Sequence, residues 1–357
     1  VYQVKFGLFY QLPCAPDQSA ADRYRETIEQ ITLADELGFT TAWLAELHFF
    51  QPFSIMPAPL QIAVAAAQRT RRIRFGTAVV LLPFHHPLRV AEEAAVADIL
   101  TGGRLDLGVG RGTIAVHFRG YGVPRDESRE RFEESLAIIR KAWKSDRFSH
   151  EGRFYQIPDI AVAPRPLQKP HPPIRIAANS PDTAEFAGAQ GYDVMAASPI
   201  NPLPRFFDHI ARYREARAEA GHDAATSDVA GLFFCSTADS LARIRAEYEP
   251  SVMHYFRTIG DQAMLGDQAQ YEGSYQYLKE VRERALNVKW DEINDTMAIF
   301  GAPEECVKRI TEIYENARIN QLVCWFNPGG RIPHREVMAA MERFASKVVP
   351  STSKLGQ

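Results

Sequence analysis

Gly102 to Gly112 reads GGRLDLGVGRG. Leu105 and Leu107 alternate with Asp106 and Gly108, and glycines at 108, 110 and 112 then bracket the cation Arg111. The pattern predicts a strand that ends in a charge. Glycine at every second position strips one face of side chains, so another backbone or a flat ligand can approach closely. A half-buried guanidinium needs an anionic partner, and a phosphate matches its planar donor fork. Two plainer readings stand beside this one: strand glycines also mark tight packing inside a barrel, and arginine also pairs with structural carboxylates. A dinucleotide-binding loop would require a helix to open at the last glycine, and Thr113 to Tyr121 (TIAVHFRGY) carries no helix-start signal.

Upstream, strand-like and helical runs alternate. Val4–Tyr10 reads as a strand, Arg23–Leu37 as a helix closed by Gly38, Thr41–Phe49 as a strand and Pro57–Arg69 as a helix. Ile73–Leu82 is again strand-like, and Leu88–Leu100 is an amphipathic helix. Downstream, the spacing predicts helices over Arg129–Lys144, Pro181–Gln190, Pro204–Ala220, Leu241–Phe256, Pro303–Asn316 and Arg335–Val348. Strands are expected at Ile174–Asn179, Val194–Ser198, Val229–Cys235 and Gln321–Phe326. Phe148–Pro173 is proline-rich and irregular, and Thr258–Trp290 lacks a clean period, which predicts an inserted, mobile segment. Eight strand-like runs, each followed by a helical run, point to one domain over 1–357: a closed (β/α)8 TIM barrel with insertions.

With 357 residues, 46% hydrophobic and 24% charged, the chain can bury a large core. A formal charge of -3 supplies no basic field, so nucleic acid and anionic membranes are not expected partners. No apolar run reaches the length of a membrane span, and VYQVKFGLFYQ alternates like a strand instead of carrying a signal core, which fits a cytoplasmic enzyme. Cys14, Cys235, Cys306 and Cys324 lie far apart, indicating neither a zinc site nor a disulfide framework. The adjacent His85 and His86 would point to opposite faces of an extended segment, so no metal site is expected.

In such a barrel the chemistry sits where strands end. Ser180 and Thr183, in the sequence Asn179-Ser180-Pro181-Asp182-Thr183, offer hydroxyls beside the free N–H groups of a helix start; this is either a plain cap or an anion site. The fifth strand's neighbour is the fourth, which carries Arg111, and two anion-friendly ends side by side suit one phosphate. At the end of the second strand, His48 is either a structural histidine or a proton carrier. Phe49, Phe50, Phe53 and Phe84 are expected to line an apolar mouth for a flat ring or an apolar substrate, though large side chains also cap barrel cores.

Taken in order, KFGLFY, WLAELHF, FGTAVVLLPFHHPLRVAEEAAVADILTGGRLDLGVGRG, NSPDT, FGAPEEC and CWFNPGG resemble the bacterial luciferase family of flavin-dependent monooxygenases. The resemblance implies FMN, its phosphate held by Arg111, Asn179, Ser180 and Thr183. It places the isoalloxazine ring near Ala78 and Val79, where the family can carry a cis peptide, and past Ser198. It also implies reduced flavin delivered by a separate reductase, dioxygen addition at ring carbon 4a, and transfer of oxygen to a substrate.

Two departures stand out. Leu47 occupies the place of the first of two family histidines, leaving His48 as the candidate for hydrogen-bonding the flavin and for proton transfer. Gly110 stands where luciferase has a reactive cysteine, so light emission from a long-chain aldehyde is not expected. Leu47 would instead enlarge the apolar surface against a small apolar, aromatic or carbonyl substrate. The alternatives within the resemblance are a deazaflavin-dependent oxidoreductase that transfers hydride, and a non-catalytic partner subunit, against which the phosphate-binding side chains argue. A homodimer is expected through Pro57–Arg69 and Leu88–Leu100, the latter presenting Ala91, Ala94, Ala95 and Ala97.

Overall fold

A computed structural model describes residues 4–264 and 276–352. From the N-terminal side, β1 (Lys5–Tyr10) leads to α1 (Ala20–Leu37), then β2 (Thr41–Leu44), α2 (Pro59–Ala67), β3 (Arg74–Thr77), β4 (Val80–Leu81), α3 (Pro87–Leu100) and β5 (Leu105–Gly110). There follow α4 (Ala115–Tyr121), α5 (Ser128–Lys144), β6 (Phe148–Glu151), β7 (Gln156–Ile160), β8 (Ile174–Ala177), α6 (Pro181–Ala189), β9 (Asp193–Ala197) and α7 (Leu203–Glu219). The chain continues through β10 (Val229–Thr237), α8 (Leu241–Met264), α9 (Tyr277–Asn287), α10 (Trp290–Thr296), β11 (Ala298–Gly301), α11 (Pro303–Ala317), β12 (Gln321–Trp325) and α12 (His334–Lys347).

Parallel pairing runs β1-β2-β3-β5-β8-β9-β10-β12 and returns to β1, so eight staves close a barrel. These are the eight runs that the alternating pattern marks. Helix ends follow local chemistry: Ser19 accepts from the Asp22 N–H at 3.0 Å to start α1, and Gly38 closes it at a φ of 87°. The floor of the barrel is packed solid. Trp43 is fully buried, its indole N–H donates to Gln321 Oε1 at 2.7 Å, and the Arg175 guanidinium lies 5.3 Å from its ring centre. Only glycine fits beneath that ring, because a Cβ on Gly76 would lie 2.1 Å from it.

Several boundaries differ from the sequence pattern, each for a local reason. The second strand stops at Leu44 and not at Phe49, whose φ of 60° is incompatible with a strand. The third is broken after Thr77 at a cis peptide between Ala78 and Val79, the position the resemblance implied, and resumes as β4 beside β5. Thr113 to Tyr121, read as non-helical, contains α4. Its N-cap Ile114 supplies no capping side chain, which is why a start signal is absent, while Gly122 closes it in the left-handed region.

The irregular stretch after α5 holds the antiparallel hairpin β6–β7. In the run from Thr258 to Trp290, α8 continues to Met264 and α9 begins at Tyr277; residues 265–275, with Tyr271 and Tyr275, lie outside the described residues. The pattern also passed over β11, four residues that pair beside the upper half of β10. The alanines of α3 expected at a dimer face are buried inside the chain instead, Ala91 beneath Trp143 of α5, whose indole donates to the Ala91 carbonyl at 3.0 Å. Among the described residues no helix is long and apolar enough to cross a membrane.

Candidate active site

A cavity of about 290 Å³ opens at the C-terminal ends of the staves. At one side, the end of β5 delivers Arg111 and the start of α6 delivers Ser180 and Thr183. The Arg111 Nη2 donates to Thr183 Oγ1 at 3.2 Å, and the Ser180 and Thr183 hydroxyls lie 2.9 Å apart. Ser180 is the N-cap of α6 but makes no capping bond to that helix, so its hydroxyl is turned to Thr183 and not spent on the helix end. A guanidinium, two hydroxyls and a helix N-terminus converge, a donor set that suits a phosphate. Asn179 lies on the same wall, its Oδ1 accepting from the Ala197 N–H at 2.9 Å and thereby tying the ends of β8 and β9 together.

Where β5 meets the neighbouring strand, the wall has a steric reason to carry glycine. A Cβ on Gly110 would sit 2.5 Å from Val79 Cγ2, and one on Gly108 would sit 1.9 Å from the Thr77 carbonyl oxygen. The close approach expected of these glycines is therefore made by the neighbouring strand, and Ala78, Val79 and Gly110 together form a surface of small groups on the cavity. Phe9, Phe53, Tyr255 and Trp325 supply its aromatic side; Phe53 and Tyr255 stack at 5.9 Å, and Phe9 meets Trp325 edge-on at 4.9 Å.

The buried carboxylate Glu46 lies on the cavity wall beyond the end of β2. The Nε2 atoms of His48 and His85 lie 2.8 and 2.7 Å from the same oxygen, Oε1, while the Leu81 N–H donates to Oε2 at 3.2 Å. A carboxylate only accepts, so both imidazoles carry their proton on Nε2. Burial alone would raise the Glu46 pKa, but the bonds from His48 and His85 outweigh it and hold the carboxyl below its ordinary value. For His85, burial lowers the pKa and the Glu46 carboxylate more than reverses that, leaving it raised. The donor atoms of Glu46, His48 and His85 lie within 4.8 Å of one another, a set also able to hold a metal ion, which the sequence pattern did not indicate.

His48 itself is enclosed. Its Nδ1 faces the Tyr121 hydroxyl at 3.1 Å, and its backbone N–H donates to His117 Nε2 at 3.1 Å. That last bond fixes the neutral tautomer of His117 with its proton on Nδ1, an atom that is buried without a hydrogen-bond partner. Burial, with the neighbouring His48, pushes the His117 pKa down to about 4.

The structure thus brings Leu47, Ala78, Val79, Arg111, Asn179, Ser180 and Thr183 to one cavity. It leaves His48 behind Glu46, off the wall. Ser198 is fully buried, its hydroxyl directed to the Thr296 carbonyl at 3.3 Å. Of the phenylalanines expected at the mouth, only Phe53 lines the cavity. Phe49 is 56% exposed over Tyr121 and Gly120, Phe50 packs on the core, and Phe84 stacks on Tyr121 at 5.2 Å. The sequence reading missed His85 as a partner of Glu46, and His117 and Tyr121 as partners of His48, because 39 to 73 residues separate the partners and no spacing rule links them.

The sequence model described as luciferase-like monooxygenase matches residues 4–321. The chain belongs to that family. Among its relatives, the oxygenase component of a flavin-dependent trigonelline monooxygenase from Acinetobacter baylyi is 28% identical over 354 residues, 98% of this chain and 96% of the relative. The monooxygenase RslO1 from Streptomyces bottropensis superposes with a TM-score of 0.79 at 29% identity, covering 98% of this chain and 99% of that one. An F420-dependent secondary alcohol dehydrogenase shares the fold at 21% identity with a TM-score of 0.75, covering 98% and 99%. Family membership makes the chain a monooxygenase built on a TIM barrel, and the shared fold alone does not choose between flavin and deazaflavin.

Proposed function

We propose that this protein is the oxygenase component of a two-component system that takes reduced FMN from a separate reductase and uses dioxygen to oxygenate a small apolar, aromatic or carbonyl substrate. The observation that carries the reading is the convergence of Arg111, Ser180 and Thr183 at one side of an aromatic cavity, a corner fitted to a phosphate. Reduced flavin, when bound, supplies the electrons with which dioxygen is activated. The chain's own residues do the rest. Arg111 and the two hydroxyls hold the phosphate, with Asn179 bracing the strand ends beneath. Ala78, Val79 and Gly110 offer a flat bed for a ring, while the aromatic wall and Leu47 exclude water and receive an apolar substrate.

Glu46 is the ionised carboxylate on the wall, and His48 Nε2 and His85 Nε2 each hold a proton against its Oε1. His48 then acts at one remove, as a positioning residue that keeps Glu46 ionised. The deciding experiment supplies the protein with FMN, a flavin reductase and isotopically labelled dioxygen, and follows label into the product of screened carbonyl and aromatic compounds. Label in the product supports the reading. Turnover only with a reduced deazaflavin, without label, would replace it with hydride transfer, the chemistry suggested by the F420-dependent neighbour.

A further inference from the structure

Two guanidiniums line the cavity, and the phosphate corner uses one. Arg282 is the other. It comes from a different part of the chain, α9, which places Tyr277, Leu278, Val281 and Arg282 on the cavity along one helical face. That helix is held in register by its other contacts: Arg205 pairs with Glu280, Arg284 Nη1 donates to the Ile200 carbonyl at 2.8 Å, and Ala285 is buried. Among the described residues, the Arg282 Nε is buried without a hydrogen-bond partner.

Among the described residues that line the cavity, charge is correspondingly unbalanced. Glu46 is its one carboxylate among the described lining residues, and that group is already matched by two imidazole N–H donors. A buried guanidinium nitrogen without an acceptor is costly, and a ligand that supplies an oxyanion recovers that cost on binding. The other walls are largely apolar, aliphatic around most of the cavity with one aromatic side made by Phe9, Phe53, Tyr255 and Trp325. We infer that Arg282 receives the carboxylate of the substrate, and that the substrate class is a small aromatic acid whose ring lies among Phe9, Phe53, Tyr255 and Trp325. This rests on the reading above in one respect, that the flavin phosphate occupies Arg111 and leaves Arg282 for a second anion.

The test is binding, not turnover. Benzoate and nicotinate are titrated against benzamide and nicotinamide, which keep the ring and lose the charge, by calorimetry on FMN-saturated protein and again on protein without flavin. In the wild type the acids bind about tenfold or more tightly than the amides, the loss expected when a charge-assisted hydrogen bond is removed. In Arg282→Ala the acids fall to the level of the amides, Arg282→Lys keeps part of the preference, and FMN affinity stays within about twofold. Equal binding of acid and amide by the wild type, or no binding of the acids at all, overturns the inference. So does a loss of FMN affinity in Arg282→Ala comparable to that in Arg111→Ala, which would make Arg282 a second phosphate ligand. If the wild type fails to bind FMN, the cofactor reading falls, while the acid preference on flavin-free protein still decides for or against Arg282.

Discussion

At the scale of the residue, Arg111 and His117 carry the sharpest consequences. Arg111→Ala removes a charge-assisted contact while leaving the β5 backbone in place, so the dissociation constant for FMN should rise about tenfold or more; equilibrium dialysis against the wild type reads it directly. His117 makes a statement about pH. Its pKa falls from 6.5 in the unfolded chain to about 4 in the fold, so the unfolded state binds more protons between those values. The stability it contributes is complete above pH 6.5 and is lost as pH falls toward 4. His117→Gln can still accept from the His48 N–H but does not titrate, so denaturation midpoints measured from pH 7 to 4 should fall less steeply, by up to about 3 kcal/mol. The structure sets Arg111 on the cavity beside Thr183, and its place at a strand end was legible from the glycines that bracket it. His117 was not, because its importance lies in an acceptor role toward a backbone N–H far away in the chain.

Among the elements, β2 and β3 show how a barrel floor is specified. Trp43 on one strand lies across Gly76 on the next, with Gln321 and Arg175 filling the space around the ring. Gly76→Ala places a methyl against that ring, and overpacking of this kind costs roughly 1–3 kcal/mol, so a lower thermal midpoint with little change in FMN affinity is expected. The alternation that marked all eight staves is a signal of burial and survives in sequence because each stave is covered on both sides. Elements set by a single partner left no such trace: α4 lacks a capping side chain, β11 has one stave to lean on, and the β6–β7 hairpin follows no helical or barrel period.

For the whole molecule, what α3 leaves uncovered leads to a prediction of association with a second copy. Its alanines are consumed within the chain, but Val96, Ile99 and Leu100 stay 41%, 42% and 50% exposed on its outer side. Apolar side chains clustered on one helix favour a self-complementary contact. Sedimentation at micromolar concentration should therefore give a dimer mass, and Leu100→Glu should shift it toward the monomer without altering the melting cooperativity of the barrel. The general placement of the cavity at the strand ends was legible from the barrel topology, whereas its second cation was not, since α9 lies within a run without a clean period.

Trp43 is fully buried among the staves, whereas the helical lintel that bears Arg282 stands over the cavity at their ends. Durability is thereby lodged in one storey of the building and discrimination in another. A descendant of this chain could exchange its preferred molecule by rewriting the lintel alone, with the foundations left standing.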